Sequence, residues 1–146
     1  PTTITMKNRN QIAQFIKYCI VGVMNTAITL GVIFLCKSVC GINPYVSNAI
    51  GYICGLINSF LWNKQWVFRS GSAYCGEAMR FAAGFGLCFA IQFAVVWGLS
   101  SGPFGETEFP IGRFVISGYG IATLIGSIVY TVCNFTYNKL FTFRKG

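Results

Sequence analysis

Four long stretches of this chain carry no charged residue, and this feature constrains its fold more than any other. Together they hold 95 of the 146 residues, and they are Tyr18–Cys36, Ser38–Asn63, Phe81–Gly105 and Phe114–Asn138. A helix needs about 20 mostly apolar residues to cross the hydrocarbon core of a bilayer. The pattern predicts an all-α membrane protein with four transmembrane helices in a single domain, residues 1–146. The expected spans are about 16–36, 42–63, 80–100 and 114–138.

The composition excludes several other classes of protein. Only 10% of the residues are charged and the mean hydropathy is +0.60, whereas about a quarter of the residues in a soluble domain are charged. The apolar runs are continuous, so they do not match the alternating strands of a transmembrane β-barrel. The chain has no histidine, and its only carboxylate side chains are Glu77, Glu106 and Glu108. An enzyme with catalytic residues, a bound metal or a cofactor is therefore not expected.

The basic residues predict the orientation in the membrane. With four spans, the termini and the middle loop share one side, which holds nine of the eleven basic residues: Lys7, Arg9, Lys17, Lys64, Arg69, Arg80, Lys139, Arg144 and Lys145. The other side holds Lys37 and Arg113. Because Lys and Arg are enriched in cytoplasmic loops, both termini are expected to be cytoplasmic. Basic residues distributed along one membrane surface also argue against a nucleic-acid partner, because nucleic-acid binding needs basic residues gathered on a water-exposed face.

The sequence contains an internal repeat. Asn63–Arg69 reads NKQWVFR, and Asn138–Arg144, 75 positions later, reads NKLFTFR. Near the start of the odd spans, residues 14–15 (QF) correspond to residues 80–81 (RF) at an offset of 66. The difference between the offsets fits a longer outer loop around 100–112 in the second half. Since each copy holds two spans, the chain is predicted to contain two parallel repeats, about 14–70 and 79–146.

Small residues recur at four-residue spacing along the even spans. They are Ser47, Gly51, Gly55 and Ser59 in span two, and Ala122 and Gly126 in span four. Residues four apart share one face of a helix, and small side chains let helices approach closely in lipid. We interpret these stripes as helix–helix contacts.

The repeated motif at the end of each even span has two interpretations. Its shared positions are Asn63, Trp66 and Phe68 in the first copy and Asn138, Phe141 and Phe143 in the second. Its aromatic residues suit the belt that anchors helices at a membrane surface. The alternative is a basic, amide-bearing pocket for an anionic lipid headgroup, because Arg offers forked donors to phosphate and Lys a point charge. The candidate headgroup residues are Lys17, Lys64, Arg69, Arg80, Lys139 and Arg144.

A few polar side chains lie inside the predicted spans, among them Asn25, Thr26, Asn58, Gln92 and Asn134. Each needs a hydrogen-bond partner in hydrocarbon. They therefore either bond neighbouring helices or line a path for a polar substrate. No Asp or Glu lies inside a predicted span, so proton coupling through an intramembrane carboxylate is not expected.

The chain resembles the GtrA-like family of small bacterial inner-membrane proteins. The resemblance runs from about Phe15 to Arg144 and lies in the QF and RF pairs, VGVMNTAITL at 21–30, and the span ends NSFLWNKQWVFR and NFTYNKLFTFR. It implies four spans and a role in cell-surface polysaccharide modification, commonly described as translocation of a polyprenyl-phosphate-linked sugar. Family members commonly have an Asp near Thr29 and an Arg where Gln14 stands, so the chain departs from the pattern at both positions.

Two functions follow from these observations. The first is flipping of a polyprenyl-phosphate-linked sugar, in which the six basic residues recruit the phosphate and the five polar residues line the sugar's path. Transport would run downhill, because no coupling residue is visible. The alternative is a non-transporting membrane subunit that binds and positions a glycosyltransferase. The expected partners are membrane lipid, the lipid-linked sugar or that transferase, and a second copy in a homodimer, because one bundle is small for enclosing a sugar.

Overall fold

The computed structural model describes residues 2–144, with side chains from Met6 onward. Lys145, counted above among the cytoplasmic basic residues, lies outside this range. The described chain is mostly helical. It divides into two compact units, which we call unit one, ending at Ser72, and unit two, Ala73–Arg144.

Unit one contains two long helices, each continued by a π-helical segment. Its elements in chain order are α1 (Thr2–Phe34), π1 (Leu35–Val39), α2 (Pro44–Trp62) and π2 (Asn63–Val67). Unit two also contains two long helices, with an insertion between them. Its elements are α3 (Tyr74–Ser100), α4 (Pro103–Glu106), β1 (Glu108–Ile111), β2 (Phe114–Ser117), α5 (Gly118–Tyr137) and π3 (Asn138–Thr142).

Small residues let α1 and α2 pack closely in unit one. A Cβ atom built at Gly51 would lie 2.9 Å from the Thr29 carbonyl oxygen, and one at Gly55 would collide with the Thr29 hydroxyl. The buried residues of α2 are Ser47, Gly51 and Gly55, all members of the stripe interpreted as a helix contact. Small residues are needed there because lipid is as apolar as the side chains, so close packing must hold the helices together.

Helices α3 and α5 pack by the same means in unit two. A Cβ atom at Gly126 would lie 2.6 Å from Val96 Cγ2 and 3.4 Å from the Gln92 carbonyl oxygen. Gly84 of α3 lies against the ring of Tyr137, where a Cβ atom would collide with the ring. The stripe residue Gly126 is therefore in the helix contact of its unit.

The longer outer loop predicted around 100–112 is folded. After the short helix α4, strands β1 and β2 form an antiparallel hairpin in which Glu108 lies opposite Ser117 and Ile111 opposite Phe114. Gly112 in the turn has a φ of 62°, a conformation that glycine adopts without steric cost. Because Phe114–Ser117 pairs with β1, helix α5 begins at Gly118 instead of near 114, where the charge-free window begins.

Helix α3 also begins elsewhere than expected, at Tyr74 instead of near 80. Glu77 therefore lies in its first turn, and the residue is buried, with 1% of its surface exposed. A carboxylate is favourably placed there, because the N-terminus of a helix carries partial positive charge.

Three helical stretches within the described residues are long and apolar enough to cross a membrane: Met6–Val39, Tyr74–Ser100 and Gly118–Thr142. Helix α2 has 19 residues and so a length of ~28 Å at 1.5 Å per residue. It contains the polar residues Asn48, Asn58 and Ser59 and is not among these three stretches, so the fourth span stays a prediction.

Large apolar side chains face outward from the long helices. Val23, Phe93 and Leu124 are 72%, 66% and 64% exposed, respectively. Soluble proteins rarely expose extended apolar surface. These side chains are placed as expected for helices that contact lipid.

Candidate functional site

In unit one, the first copy of the motif lies beside the early part of α1. Gln14 Nε2 donates a hydrogen bond to the Val67 carbonyl oxygen over 3.2 Å. Lys17 Nζ lies 5.5 Å from the centroid of the Trp66 ring, close enough for a cation–π interaction. The segment that opens α1 and the segment that ends α2 therefore form one end of this unit.

In unit two, the second copy of the motif has the corresponding position beside the start of α3. The rings of Phe81 and Phe143 lie 6.2 Å apart between centroids, and Arg80 directly precedes Phe81. Lys139 Nζ lies 5.7 Å from the Phe135 ring centroid. Each unit thus gathers one motif copy and the preceding odd-helix residues at one end.

The π-helical backbone explains the spacing of the motif. The Phe68 N–H donates to the Asn63 carbonyl over 2.9 Å, and the Phe143 N–H donates to the Asn138 carbonyl over 2.8 Å. Each bond reaches back five residues, so Asn and Phe mark the two ends of a π-helical turn. Both Phe side chains are buried, so they anchor this turn in the core of their units, whereas Phe141 is exposed as a belt residue would be.

Asn63 and Lys64 are bonded within unit one. Asn63 Nδ2 donates to the Ser59 carbonyl oxygen at 2.8 Å and to Ser59 Oγ at 3.2 Å. Lys64 is 2% exposed, and its Nζ donates to the carbonyl oxygens of Ser72 at 2.6 Å and Ser70 at 3.4 Å. In this structure the Lys64 ammonium group stabilises the loop after π2 and does not stand open to a lipid headgroup.

The other five candidate headgroup residues are more accessible. Arg69, Arg80 and Arg144 are exposed, and Lys17 and Lys139 are half-buried. Arg69 follows π2 with a φ of 50°, the one positive value at a non-glycine position among the described residues. This left-handed backbone costs a residue with a side chain roughly 1–2 kcal/mol. Strain of this size is often kept at functional positions.

The predicted path residues of unit one differ in their surroundings. Asn58 Nδ2 donates to Asn25 Oδ1 over 2.7 Å, and this half-buried amide pair joins α1 and α2. Thr26 is exposed, and its hydroxyl donates to the Gly22 carbonyl oxygen of its own helix over 3.1 Å. The structure brings Asn25 and Asn58 together and leaves Thr26 on an outward face.

The predicted path residues of unit two bond partners that the sequence patterns did not indicate. Gln92 Nε2 donates to Ser127 Oγ over 3.4 Å and joins α3 to α5. Asn134 Nδ2 donates to the Tyr130 hydroxyl over 3.4 Å. The Gln92 contact matches the interhelical alternative for the intramembrane polar residues, whereas the Asn134 contact lies within α5.

Two further buried polar residues have no place in the predicted site, although one of them carries a signal in the sequence. Thr142 is 0% exposed and occupies the motif position that Val67 holds in the first copy. A polar residue at an apolar position of a repeat is a difference that sequence comparison of the two copies can find. Glu77 is one of three acidic residues in the chain, and no pattern around it indicates that it is buried.

The long apolar helices and the family match define the class: this is a multi-pass bacterial membrane protein. The chain belongs to the family described as GtrA/DPMS, transmembrane domain, whose model matches residues 17–144. The resemblance to the GtrA-like family that the span-end motifs carry is thereby confirmed.

Three relatives illustrate the family. The bactoprenol-linked glucose translocase of Shigella phage SfV is 27% identical over 131 residues, which cover 89% of this chain and 94% of the relative. The cell wall teichoic acid glycosylation protein GtcA of Listeria innocua is 22% identical over 139 residues, 92% of this chain and 88% of the relative. The uncharacterized membrane protein YngA of Bacillus subtilis is 38% identical over 52 residues, and this match spans only 34% of that protein.

Proposed function

We propose that this chain translocates a polyprenyl-phosphate-linked sugar from the cytoplasmic to the outer leaflet of the bacterial inner membrane, for modification of a cell-surface polysaccharide. The observation that carries the proposal is the likeness to a protein named bactoprenol-linked glucose translocase, which covers 94% of that relative. The relative named for teichoic acid glycosylation matches 92% of this chain and belongs to a related process, the addition of sugar to a cell-wall polymer.

The proposal includes four spans, formed by α1, α2, α3 and α5, in two parallel repeats with cytoplasmic termini. The helix pair of unit one supports it, because α1 and α2 run antiparallel: Gln14 meets Val67 at one end, and Thr29 meets Gly51 further along. In unit two, Phe81 meets Phe143 and Gln92 meets Gly126 in the same antiparallel sense. The excess of basic residues then falls on the cytoplasmic side.

Recruitment of the phosphate is assigned to the accessible basic residues near each motif copy. They are Lys17 and Arg69 in unit one, and Arg80, Lys139 and Arg144 in unit two. Arg forms paired, charge-assisted hydrogen bonds with phosphate oxygens, and each basic side chain near an anionic surface contributes about 1 kcal/mol of attraction. Lys64 is assigned the support of the loop through the Ser70 and Ser72 carbonyl oxygens.

Passage of the sugar is assigned to the amide-bearing contacts within the spans. The sugar must cross about 30 Å of hydrocarbon, where an unbonded hydroxyl costs several kcal/mol. The pairs Asn25–Asn58 and Gln92–Ser127 are half-buried between helices. The two side chains of a pair can break the hydrogen bond between them and form a new one to a sugar hydroxyl. The new bond then offsets the loss of the old one. Consumption of the sugar at the outer surface gives transport its direction.

Reconstitution tests the proposal. Purified protein in liposomes should move labelled polyprenyl-phosphate glucose between leaflets, and the double variant Asn25→Leu, Asn58→Leu should move it at least about tenfold more slowly, a change in barrier of about 1.4 kcal/mol. Thr26→Val is the matched control, because Thr26 bonds only its own helix in the part of the structure described. Absence of transfer, together with co-purification of a membrane glycosyltransferase, would contradict translocation and favour the alternative of a non-transporting subunit.

A further inference from the structure

The two copies of the repeated motif differ in how their buried polar groups are bonded. In the first copy, the Asn63 amide nitrogen is bonded to Ser59, and Lys64 is bonded to two carbonyl oxygens. The position equivalent to Thr142 is the apolar Val67. Only Asn63 Oδ1 among the described side-chain atoms of the first copy is buried without a hydrogen-bond partner.

The second copy buries an amide and a hydroxyl that have no hydrogen-bond partner among the residues that the structure describes. Asn138 and Thr142 are both 0% exposed. Three of their side-chain atoms have no hydrogen-bond partner in the described structure: Asn138 Nδ2, Asn138 Oδ1 and Thr142 Oγ1. Burial of polar atoms without a hydrogen-bond partner is costly. A leucine and a valine of similar size would fill the same space without that cost.

Asn138 and Thr142 are placed to act on the same ligand. They lie four residues apart in π3, whose backbone bonds reach back five residues, so their side chains leave nearly the same side of the segment. Together they offer hydrogen-bond donors and acceptors of no net charge. Lys139 and Arg144 lie close to them in sequence and carry positive charge, whereas Asn138 and Thr142 are neutral. A neutral donor–acceptor pair beside cations suits a hydroxylated group attached to a phosphate.

We infer that Asn138 and Thr142 of the second motif copy bind the sugar hydroxyls of the lipid-linked substrate, whereas Asn63 and Lys64 of the first copy have a structural role. This inference rests on the proposed function and adds to it the residues that distinguish a glycosylated polyprenyl phosphate from a bare one. Because both side chains are closed off in this structure, the headgroup enters by local opening of π3. Short π-helical segments are frequent at functional sites.

Binding measurements on paired variants test the inference. Asn138→Leu and Thr142→Val should each bind polyprenyl-phosphate glucose in nanodiscs about tenfold more weakly than the parent protein, a loss of about 1.4 kcal/mol. Their affinity for polyprenyl phosphate without sugar should not change. Their thermal unfolding midpoints should stay the same or rise, because no hydrogen bond is lost. Thr142→Ser, which keeps the hydroxyl, should bind as the parent does.

Asn63→Leu is the matched control in the first copy. It should lower the unfolding midpoint, because it removes the bonds to Ser59, and it should keep the preference for the glucose-bearing lipid. Equal binding of the glucose lipid by the parent, Asn138→Leu and Thr142→Val would overturn the inference and leave the proposed function standing. A parent protein that binds neither lipid would overturn both.

A competition experiment with free glucose 1-phosphate tests whether the ligand is lipid-linked or soluble, because this compound carries the same sugar and phosphate without the lipid. It should compete with the glucose lipid in the parent and compete less in Thr142→Val. Binding of free glucose 1-phosphate without binding of the glucose lipid would overturn the assignment to a lipid-linked substrate.

Discussion

Lys64 and Lys139 occupy the same motif position, yet their surroundings differ. Lys64 is buried and donates to two carbonyl oxygens, whereas Lys139 is half-buried near the Phe135 ring. The residue pattern predicts both as basic groups at a membrane surface. It does not predict which one is enclosed, because the carbonyl groups that bind Lys64 belong to a loop outside the motif.

Replacing Lys64 by Met should lower the free energy of unfolding by about 2 kcal/mol, since hydrogen bonds to a charged group contribute about 1.5–3 kcal/mol. Lys139→Met is the matched control and should cost less than about 1 kcal/mol, the usual size of a cation–π contact at an accessible site. Thermal unfolding of the purified variants in detergent measures both changes. Equal losses would contradict the structural role assigned to Lys64.

Arg69 combines a strained backbone with an exposed guanidinium group. Arg69→Gly should keep or raise the unfolding midpoint, because glycine removes a strain of roughly 1–2 kcal/mol. It should also weaken binding to vesicles that contain polyprenyl phosphate. Arg69→Ala, which keeps the strain and removes the charge, should weaken binding equally without the gain in stability. A glycine variant that binds these vesicles as tightly as the parent would show that Arg69 does not contact the headgroup.

Among the elements, the contact between α1 and α2 depends on glycine at one helix face. Gly51→Ala should lower the unfolding midpoint, because the new Cβ would lie 2.9 Å from the Thr29 carbonyl oxygen. Gly31→Ala is the matched control in the facing helix, since a Cβ there meets nothing within 4 Å. It should stabilise the helix by up to about 1 kcal/mol through helix propensity. Thermal unfolding of both variants checks this, and a tolerated Gly51→Ala would mean that the helices are further apart.

The long helices were predictable from the sequence because apolar composition and length determine them, but two features of the elements were not. The π-helical turns of the motif depend on backbone bonds between Asn63 and Phe68 and between Asn138 and Phe143, which composition does not reveal. The hairpin strand Phe114–Ser117 is apolar and uncharged, so the distribution of charged residues could not separate it from the helix that follows. Pairing with β1 decided its structure.

At the scale of the whole molecule, the distribution of Lys and Arg predicts which parts of the chain lie in the cytoplasm. Reporter fusions after Gly71 and after Gly146 should give a cytoplasmic signal, and a fusion after Gly102 should give an external one. A fluorescent protein and alkaline phosphatase serve as complementary reporters, because the first is active inside and the second outside. Opposite locations for Gly71 and Gly146 would rule out two parallel repeats.

The candidate site could be predicted only in part from the sequence, because the burial of Thr142 and the bond between Gln92 and Ser127 depend on how the helices pack.

The most direct test of lipid-linked sugar translocation is the fraction of polyprenyl-phosphate glucose that a membrane-impermeant oxidant reaches in sealed vesicles. Without protein, the oxidant reaches only the outer-leaflet lipid. With the purified protein as the only protein in the membrane, the reactive fraction should rise until nearly all of the lipid is oxidised, while a trapped aqueous dye stays inside. A fraction that stays at the outer-leaflet share, in vesicles that hold correctly folded and lipid-binding protein, would contradict translocation.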